Sequence, residues 1–159
     1  MLDANLKTQL QAYLEKAVRP IHITAFLDDS DASAELQSLL RDLKEVSDRI
    51  SVTEQRGGER TPSFSLTSPG HDIHLTFAGL PMGHEFTSLV LALLQTGGHP
   101  SKLAQDVIEQ IRSLDGQYRF ETYFSLSCQN CPAAVQAPHP MQELKRTTHP
   151  VATAGPLTR

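Results

Sequence analysis

The sequence predicts an α/β protein in which one pattern of strands and helices begins twice. Two observations support this prediction. Short segments with alternating apolar residues, typical of strands, separate longer segments with apolar residues at helical spacing. A second series of helix and strand then leads to Cys128 and Cys131, the only two cysteines of the chain. At 159 residues the chain is long enough for one ordinary domain or slightly more.

The first part of the chain predicts seven elements. Leucines at helical spacing between Leu2 and Leu14 predict a first helix, and Asp3 is a suitable N-cap. Residues 21–27 alternate and predict a strand, which we expect to be buried on both faces because Phe26 is apolar on the second face. The same patterns predict a helix around 36–46, strands at 49–54, 63–67 and 73–77, and a helix at 83–95. The strands at 63–67 and 73–77 flank a short turn and are predicted to form a hairpin.

The second part of the chain starts the pattern again. A helix is predicted after Pro100, a strand at 119–126, and the beginning of a helix after Cys131. A βαβ half joined to a ββα half, with a leading helix, is the order of a thioredoxin-like fold. We therefore predict one complete thioredoxin-like unit at 1–99 and the start of a second unit at 100–137.

The last stretch, 138–159, differs from the rest of the chain. It contains four prolines, and the hydrophobic period does not continue past Ala137. Such a composition cannot bury enough apolar surface to offset the entropy of ordering the chain. The sequence therefore predicts a disordered tail.

Two cysteines separated by two residues, between a strand and a helix, are typical of thiol–disulfide exchange. The first thiol lies near the unpaired N–H groups of the first helical turn, which favour its thiolate, the attacking species. The second thiol lies about one turn further along and can resolve the mixed disulfide. The pattern therefore predicts two catalytic residues, Cys128 as the attacking and Cys131 as the resolving cysteine, with Pro132 tolerated in the first turn.

Two other interpretations of this pair stay open at this point. The cysteines could form half of a zinc site, with His139 and His149 as the nearest further ligands, although neither spacing fits a Cys2His2 pattern. The thiols could also be inert, in which case the chain would be a non-catalytic module that binds a partner. At the equivalent place in the first unit the chain reads 28–31 Asp-Asp-Ser-Asp, for which helix capping is the expectation and metal binding the alternative.

Pro62 is a second feature of interest because it directly precedes the third predicted strand. A proline at this place in such a unit would have a cis peptide bond and face the active-site loop. The alternative is a trans proline that opens an edge strand. The residues alone leave both interpretations open.

Charge and hydropathy limit the classes of partner. The net charge of −4 does not favour nucleic acid or an anionic membrane surface as a partner. No apolar run reaches the roughly 18–20 residues needed to cross a bilayer, and no secretory signal is apparent at the N-terminus. We therefore expect a cytoplasmic protein.

Several segments of the chain together resemble one known family. The sequence is similar to the N-terminal domain of the flavoprotein subunit of alkyl hydroperoxide reductase, the F subunit. The similarity covers about 1–137 and rests on the segments at 7–10, 12–16, 83–94, 96–102, 120–123 and 125–132, the last of which reads Ser-Leu-Ser-Cys-Gln-Asn-Cys-Pro.

The resemblance implies an oxidoreductase with two fused thioredoxin-like units. It implies that Cys128 and Cys131 are the redox pair, that Pro62 is the proline of the first unit, and that a peroxiredoxin subunit is the partner. FAD and NADH belong to other domains of the family, so no cofactor is expected in this chain, and it could not draw on NADH alone. We take the departure from the family pattern after Ala137 as the sign of a frameshifted or misassembled end.

Overall fold

The computed structural model describes residues 2–58, 60–99, 105–114, 118–125, 128–138 and 148–154. The helices are α1 (Ala4–Leu14), α2 (Asp31–Val46), α3 (Phe86–Thr96), α4 (Gln105–Ser113) and α5 (Cys131–Gln136), with a 3-10 turn at Gly83–Glu85 directly before α3. The strands are β1 (Ile21–Leu27), β2 (Ile50–Arg56), β3 (Ser63–Ser68), β4 (His71–Ala78), β5 (Tyr118–Phe124) and β6 (Thr148–Ala154). They form one six-stranded sheet in the order β2-β1-β3-β4-β6-β5.

The first unit has the predicted architecture. β1 lies between β2, to which it is parallel, and β3, to which it is antiparallel. The predicted hairpin is confirmed, because β3 and β4 pair antiparallel from Ser63–Ala78 to Ser68–His71. The predicted N-cap of α1 is confirmed as well, since the Asp3 carboxylate accepts the N–H of Leu6 at 2.8 Å.

The core of the first unit is a single apolar cluster. Alternate residues of β1, with Ile21 and Ile23 fully buried, join leucines of α1, α2 and α3 in this cluster. Each of these elements therefore contributes the apolar face that its sequence period predicted.

The second face of β1 is only half-buried, so the prediction that both faces are buried was wrong. The reason is that this face is mainly polar. The His22 ring forms a hydrogen bond with the Ser51 hydroxyl of β2 at 2.8 Å in an exposed position. Phe26, on which the prediction rested, is covered locally by Gly58, where an added Cβ would lie 3.3 Å from the ring.

The segment 28–31 caps α2. Ser30 is the N-cap residue and accepts the N–H of Ser33 at 3.2 Å, while the Asp28 carboxylate accepts the Ser33 hydroxyl at 2.6 Å. Hydrogen bonds from Ser30 and Ser33 lower the pKa of Asp28 to about 2. Within the part of the chain that the structure describes, no three His, Cys, Asp or Glu side chains are grouped so as to hold a metal ion. The structure thus supports the capping interpretation.

Asp42 connects α2 to the start of the chain. The residue is 8% exposed, and its carboxylate accepts the N–H of Leu2 at 2.8 Å and lies 2.8 Å from Lys7 Nζ. Burial acts to raise the pKa of Asp42, but the Lys7 ammonium and the Leu2 amide outweigh it and hold the pKa well below its usual range. The ionised carboxylate therefore stabilises the folded state.

Replacing Asp42 by asparagine is expected to lower the free energy of unfolding at pH 7 by roughly 1–3 kcal/mol, since hydrogen bonds to a charged group are lost. A depressed folded pKa gives a contribution that is full above the unfolded pKa, near 3.8, and that decreases progressively as the pH falls from there through the much lower folded pKa. Urea titrations between pH 7 and pH 2 should therefore show the difference between the two proteins constant above about pH 5 and shrinking steadily in acid. Glu45→Gln, which removes the exposed second partner of Lys7, is the control and should change little. A difference of unchanged size across the whole range would contradict the assignment.

The start of the second unit continues the sheet of the first. β6 is parallel to both β4 and β5, and it lies between them. The prediction of a disordered tail was therefore wrong for Thr148–Ala154, whereas 139–147 and 155–159 lie outside the described residues. The strand has small and β-branched residues in place of long apolar ones, and its pairing comes from the backbone groups of β4 and β5. The predicted unit boundaries at 99 and 137 stay predictions.

Candidate functional site

The two cysteines lie where a strand gives way to a helix, as the spacing predicted. Cys128 follows β5, and its N–H donates to the Ser125 carbonyl at 3.0 Å, which forms the turn before α5. Cys131 is the first residue of α5, and Pro132 occupies the first helical turn. The two residues form a disulfide with a Cα–Cα distance of 5.5 Å, and both are half-buried. One face of the pair is therefore accessible to another thiol or disulfide.

The helix that carries Cys131 packs against the first unit. Val135 is 2% exposed and belongs to the same apolar cluster as the core of the first unit, and Cys131 packs against that cluster. α5 also contacts α3 and the 3-10 turn before it. A polar contact accompanies this packing, because the Gln136 side-chain amide donates to the Ser88 hydroxyl at 3.1 Å. A strand and a short helix could not bury a core by themselves, so this packing holds the cysteine pair in place.

A second connection between the units lies in the loop before β3. Arg60 donates to the Thr153 hydroxyl of β6 at 2.8 Å and to the Glu121 carboxylate of β5 at 2.9 Å. The Tyr123 hydroxyl donates to the other oxygen of Glu121 at 3.2 Å. One guanidinium therefore connects the first unit to both strands of the second, near the strand ends from which the chain reaches Cys128.

The residues alone left open whether the peptide bond before Pro62 is cis or trans. In the structure the Thr61–Pro62 bond is cis. The Pro62 carbonyl accepts the N–H of Gly79 at 2.9 Å, just beyond the paired ends of β3 and β4.

Glu85 is the residue near the site that sequence reasoning missed. It ends the 3-10 turn that contacts α5, its exposure is 0%, and among the described residues neither carboxylate oxygen has a hydrogen-bond partner. Burial raises the pKa of the Glu85 carboxyl and outweighs the opposing influence of its polar surroundings. From the sequence, Glu85 is an ordinary acid in the first turn of a helix; no local signal shows that it is buried.

The zinc interpretation gains no support from the structure. His139 lies outside the described residues, and although His149 lies in β6, its side chain is not described. The described parts of the chain contain no group of three or more candidate metal ligands. A search of the same residues finds no helix long and apolar enough to cross a membrane.

Comparison with known proteins finds relatives that share more than half of their residues with this chain over the aligned region. No family model matches the chain. The F subunit of alkyl hydroperoxide reductase in Pseudomonas aeruginosa is 60% identical over 157 residues, which cover 99% of this chain and 30% of the relative. Its counterpart in Xanthomonas campestris pv. phaseoli is 66% identical over 138 residues, covering 86% and 26%, and that in Escherichia coli K12 is 54% identical, covering 98% and 30%. The chain matches the N-terminal part of this subunit, the alkyl hydroperoxide reductase flavoprotein AhpF.

Solved structures agree with this assignment. The N-terminal domain of alkylhydroperoxide reductase AhpF from Enterococcus faecalis superposes with a TM-score of 0.85 at 25% identity, covering 96% of this chain and 80% of that one. A protein disulfide oxidoreductase from Aeropyrum pernix has a TM-score of 0.75 at 22% identity, covering 96% and 76%, and shows the fold alone. The predicted thioredoxin-like fold and the predicted resemblance to the N-terminal domain of AhpF are both confirmed.

The comparisons also correct one expectation about the tail. The alignments with the Pseudomonas aeruginosa and Escherichia coli relatives cover 99% and 98% of the chain, so the similarity continues past Ala137. The abrupt end of similarity, on which the idea of a frameshifted end rested, is therefore absent. The chain spans about 30% of the length of these relatives.

Proposed function

We propose that this chain is the dithiol relay of an alkyl hydroperoxide reductase AhpF, and that Cys128 and Cys131 are its catalytic residues. Electrons would reach the two cysteines from the flavin-bearing part of such a protein, two at a time. They would then pass to a peroxiredoxin partner, which reduces peroxides. The observation that carries the proposal is the disulfide at the strand–helix junction, held by α5 against the core of the first unit. The similarity of nearly the whole chain to the N-terminal part of AhpF supports it.

The exchange step follows from the positions of the two cysteines. In the reduced form the Cys128 thiolate attacks a disulfide of the partner, which forms a mixed disulfide and expels one partner thiolate. The Cys131 thiol then loses its proton and attacks Cys128 Sγ. This forms the Cys128–Cys131 disulfide and expels the second partner thiolate, so that two electrons have moved to the partner. Reduction by an upstream dithiol reverses the sequence.

We propose Glu85 as the group that takes up the proton of Cys131 in this step. The 3-10 turn that ends at Glu85 contacts the helix that begins at Cys131. A carboxylate that is fully buried and lacks hydrogen-bond partners among the described residues is a stronger base than an exposed one, because burial disfavours its charged form. Such a base would accept the thiol proton as Cys131 attacks Cys128 Sγ.

FAD and NADH are proposed to act in a part of the protein that this chain does not span. The residues present do not fit a dinucleotide, since the sequence has no Gly-x-Gly-x-x-Gly segment after a strand. No step described above involves either cofactor. The chain itself is proposed to supply the dithiol, and we propose the cytoplasm as its location.

A redox titration tests the proposed function. The purified chain would be equilibrated in glutathione buffers, quenched by alkylation and read by intact mass. A preformed site should convert as one two-electron couple, with a midpoint in the range of about −200 to −270 mV of thioredoxin-like centres. Mixed glutathione adducts without a defined midpoint would mean that the site is not preformed, and would favour a non-catalytic module that binds a partner.

A further inference from the structure

A groove runs along the outer side of the first unit, between helix α2 and strand β2. β2 stands first in the strand order, and no other described strand pairs with its outer side. Two open cavities of about 460 and 370 Å³ lie there, and both are lined by Gln37 of α2 and Glu54 of β2. The Gln37 amide donates to the Glu54 carboxylate at 2.9 Å in an exposed position. The two cavities are therefore the halves of one groove, which meet at this hydrogen bond.

The two ends of the groove carry opposite charge. At the end where β2 finishes, the lining includes two exposed aspartates, Asp28 and Asp29, and Arg56 is the only cation among the lining residues. Asp29 binds that guanidinium at 2.9 Å, so the local excess of charge is negative. At the other end the lining includes Arg41 and Lys44, both exposed. A ligand that lies along the groove would therefore meet an acidic end and a basic end.

The walls of the groove are fixed by packing and pairing on their inner sides. Buried leucines hold α2 on the core, and β2 pairs in parallel with β1 along its whole length, from Ile21–Ile50 to Leu27–Arg56. Leu40 and the half-buried Val52 give the basic half an apolar floor. A preformed groove of this kind needs little reorganisation when it binds a ligand.

We propose that this groove binds an extended peptide segment of a partner protein, which adds to β2 as an antiparallel strand. A free sheet edge offers backbone groups to such a strand, and the adjoining helix face offers pockets to its alternate side chains. Antiparallel pairing is the more stable arrangement, and it places the N-terminal end of the peptide at the acidic end of the groove. The charges then call for a basic residue first in the peptide and an acidic residue after it. No cysteine takes part, so the inference is independent of the thiol relay.

The length of the groove sets the spacing of the two charged residues. α2 borders both halves, and a rise of about 1.5 Å per residue separates Ser33 from Arg41 by about 12 Å. Ser33 marks the acidic end, because its hydroxyl donates to the Asp28 carboxylate at 2.6 Å. An extended peptide covers this distance in about four residues at roughly 3.3 Å each, and residues four apart lie on the same face of a strand. The peptide class is therefore one with a basic residue four positions before an acidic residue.

A second copy of the chain fits the groove less well than such a peptide. Antiparallel pairing of two β2 strands would also bring acidic ends to basic ends. However, Glu54 and Arg56, the charged residues that β2 would contribute, are already bound by Gln37 and Asp29 of their own chain. Neither copy would then have a free charged side chain of β2 to place in the cavities of the other.

The test uses two synthetic peptides of the same composition with blocked ends. The first is acetyl-Thr-Lys-Thr-Val-Thr-Glu-Thr-amide, and the second has its lysine and glutamate exchanged. Titration calorimetry on the purified chain should show saturable binding of the first peptide. The second should bind roughly tenfold more weakly, since two attractive ion pairs become two repulsive ones. Bound first peptide should also slow hydrogen exchange in residues 50–56, because backbone N–H groups of the edge gain partners.

Reversal of charge at the basic end assigns the binding to the groove. Arg41→Glu together with Lys44→Glu should weaken the first peptide roughly tenfold. A peptide with lysine in place of its glutamate should bind this double variant better than the unmodified chain. Lys16→Glu together with Arg112→Glu is the matched control, because both residues are exposed, lie outside the groove lining and give the same change in net charge. At physiological ionic strength it should leave the affinity unchanged.

Several results would overturn the inference. They are the absence of saturable binding, equal affinity for the two peptides, unchanged affinity in the Arg41→Glu, Lys44→Glu variant, and unchanged exchange in residues 50–56. A chain that sediments as a dimer and becomes monomeric in that variant would assign the groove to a second copy, which also overturns it. The redox titration of the cysteine pair does not involve the groove, so failure of one proposal is distinguishable from failure of the other.

Discussion

Serine in place of Cys128 is expected to abolish disulfide exchange by the reduced chain, with a fall of at least about a thousandfold in the rate of reaction with a disulfide substrate. Serine in place of Cys131 should leave the first step intact and stop the reaction at a mixed disulfide on Cys128. The reason is positional, since Cys128 lies in the turn after β5 whereas Cys131 begins the helix that packs on the core.

Intact mass spectrometry after a stoichiometric disulfide reagent measures both outcomes. The Cys131→Ser variant should carry one adduct that persists until a thiol is added, and the Cys128→Ser variant should carry little or none. Each variant serves as the control for the other, because both lose the same disulfide. If the adduct accumulates on Cys131 instead, the assigned roles of the two cysteines are reversed.

Glutamine in place of Glu85 is expected to slow the resolving step by roughly 100-fold at neutral pH, the scale of a lost general base. In the unmodified chain the rate of this step should rise with pH as the carboxyl ionises, at a pH above the usual range for glutamate because burial raises its pKa. The Glu85→Gln profile should lack that rise. Ellman's reagent on the reduced chain in stopped flow is the measurement. The first chromophore is released when Cys128 attacks and the second when Cys131 displaces the mixed disulfide, so the second phase, followed across the acidic and neutral range, reports the resolving step.

Thermal unfolding separates this chemical effect from a loss of structure. A carboxyl whose pKa is raised in the folded state destabilises that state once the pH rises above the pKa of the same group in the unfolded chain, near 4.5. Glu85→Gln should therefore melt at the same temperature as the unmodified chain or higher at pH 7, while reacting more slowly. A variant that melts higher and resolves at the unmodified rate would exclude Glu85 from the proton transfer.

The packing of α5 has a consequence for the first unit, which has no thiol of its own. The first unit contacts the second at three places. Val135 packs into its core, Gln136 donates to Ser88, and Arg60 donates to side chains of β5 and β6. The first unit therefore supplies the surface on which the cysteine pair is held. In this way a unit with the capping segment 28–31 in place of cysteines would contribute to the proposed thiol relay.

The sequence by itself determined the local elements and predicted which cysteine pair carries the chemistry. Alternation marked β1 and the hairpin of β3 and β4, leucine spacing marked α1 and α2, and Asp3 was recognised as a cap, because each depends on neighbours along the chain. The two-residue spacing of Cys128 and Cys131 predicted their position between a strand and a helix, and the structure shows the disulfide there.

Only the tertiary structure decided the features that depend on contacts between distant segments. β6 exists because β4 and β5 offer it backbone partners, although its own residues carry a proline and no long apolar side chain. The second face of β1 is half-buried because His22 makes polar contacts with β2 there, and Phe26 is covered by a loop glycine. Glu85 is a buried carboxylate because its 3-10 turn packs within the folded chain, where it contacts α3 and α5. Burial of this kind, unlike helix capping, leaves no local pattern in the sequence.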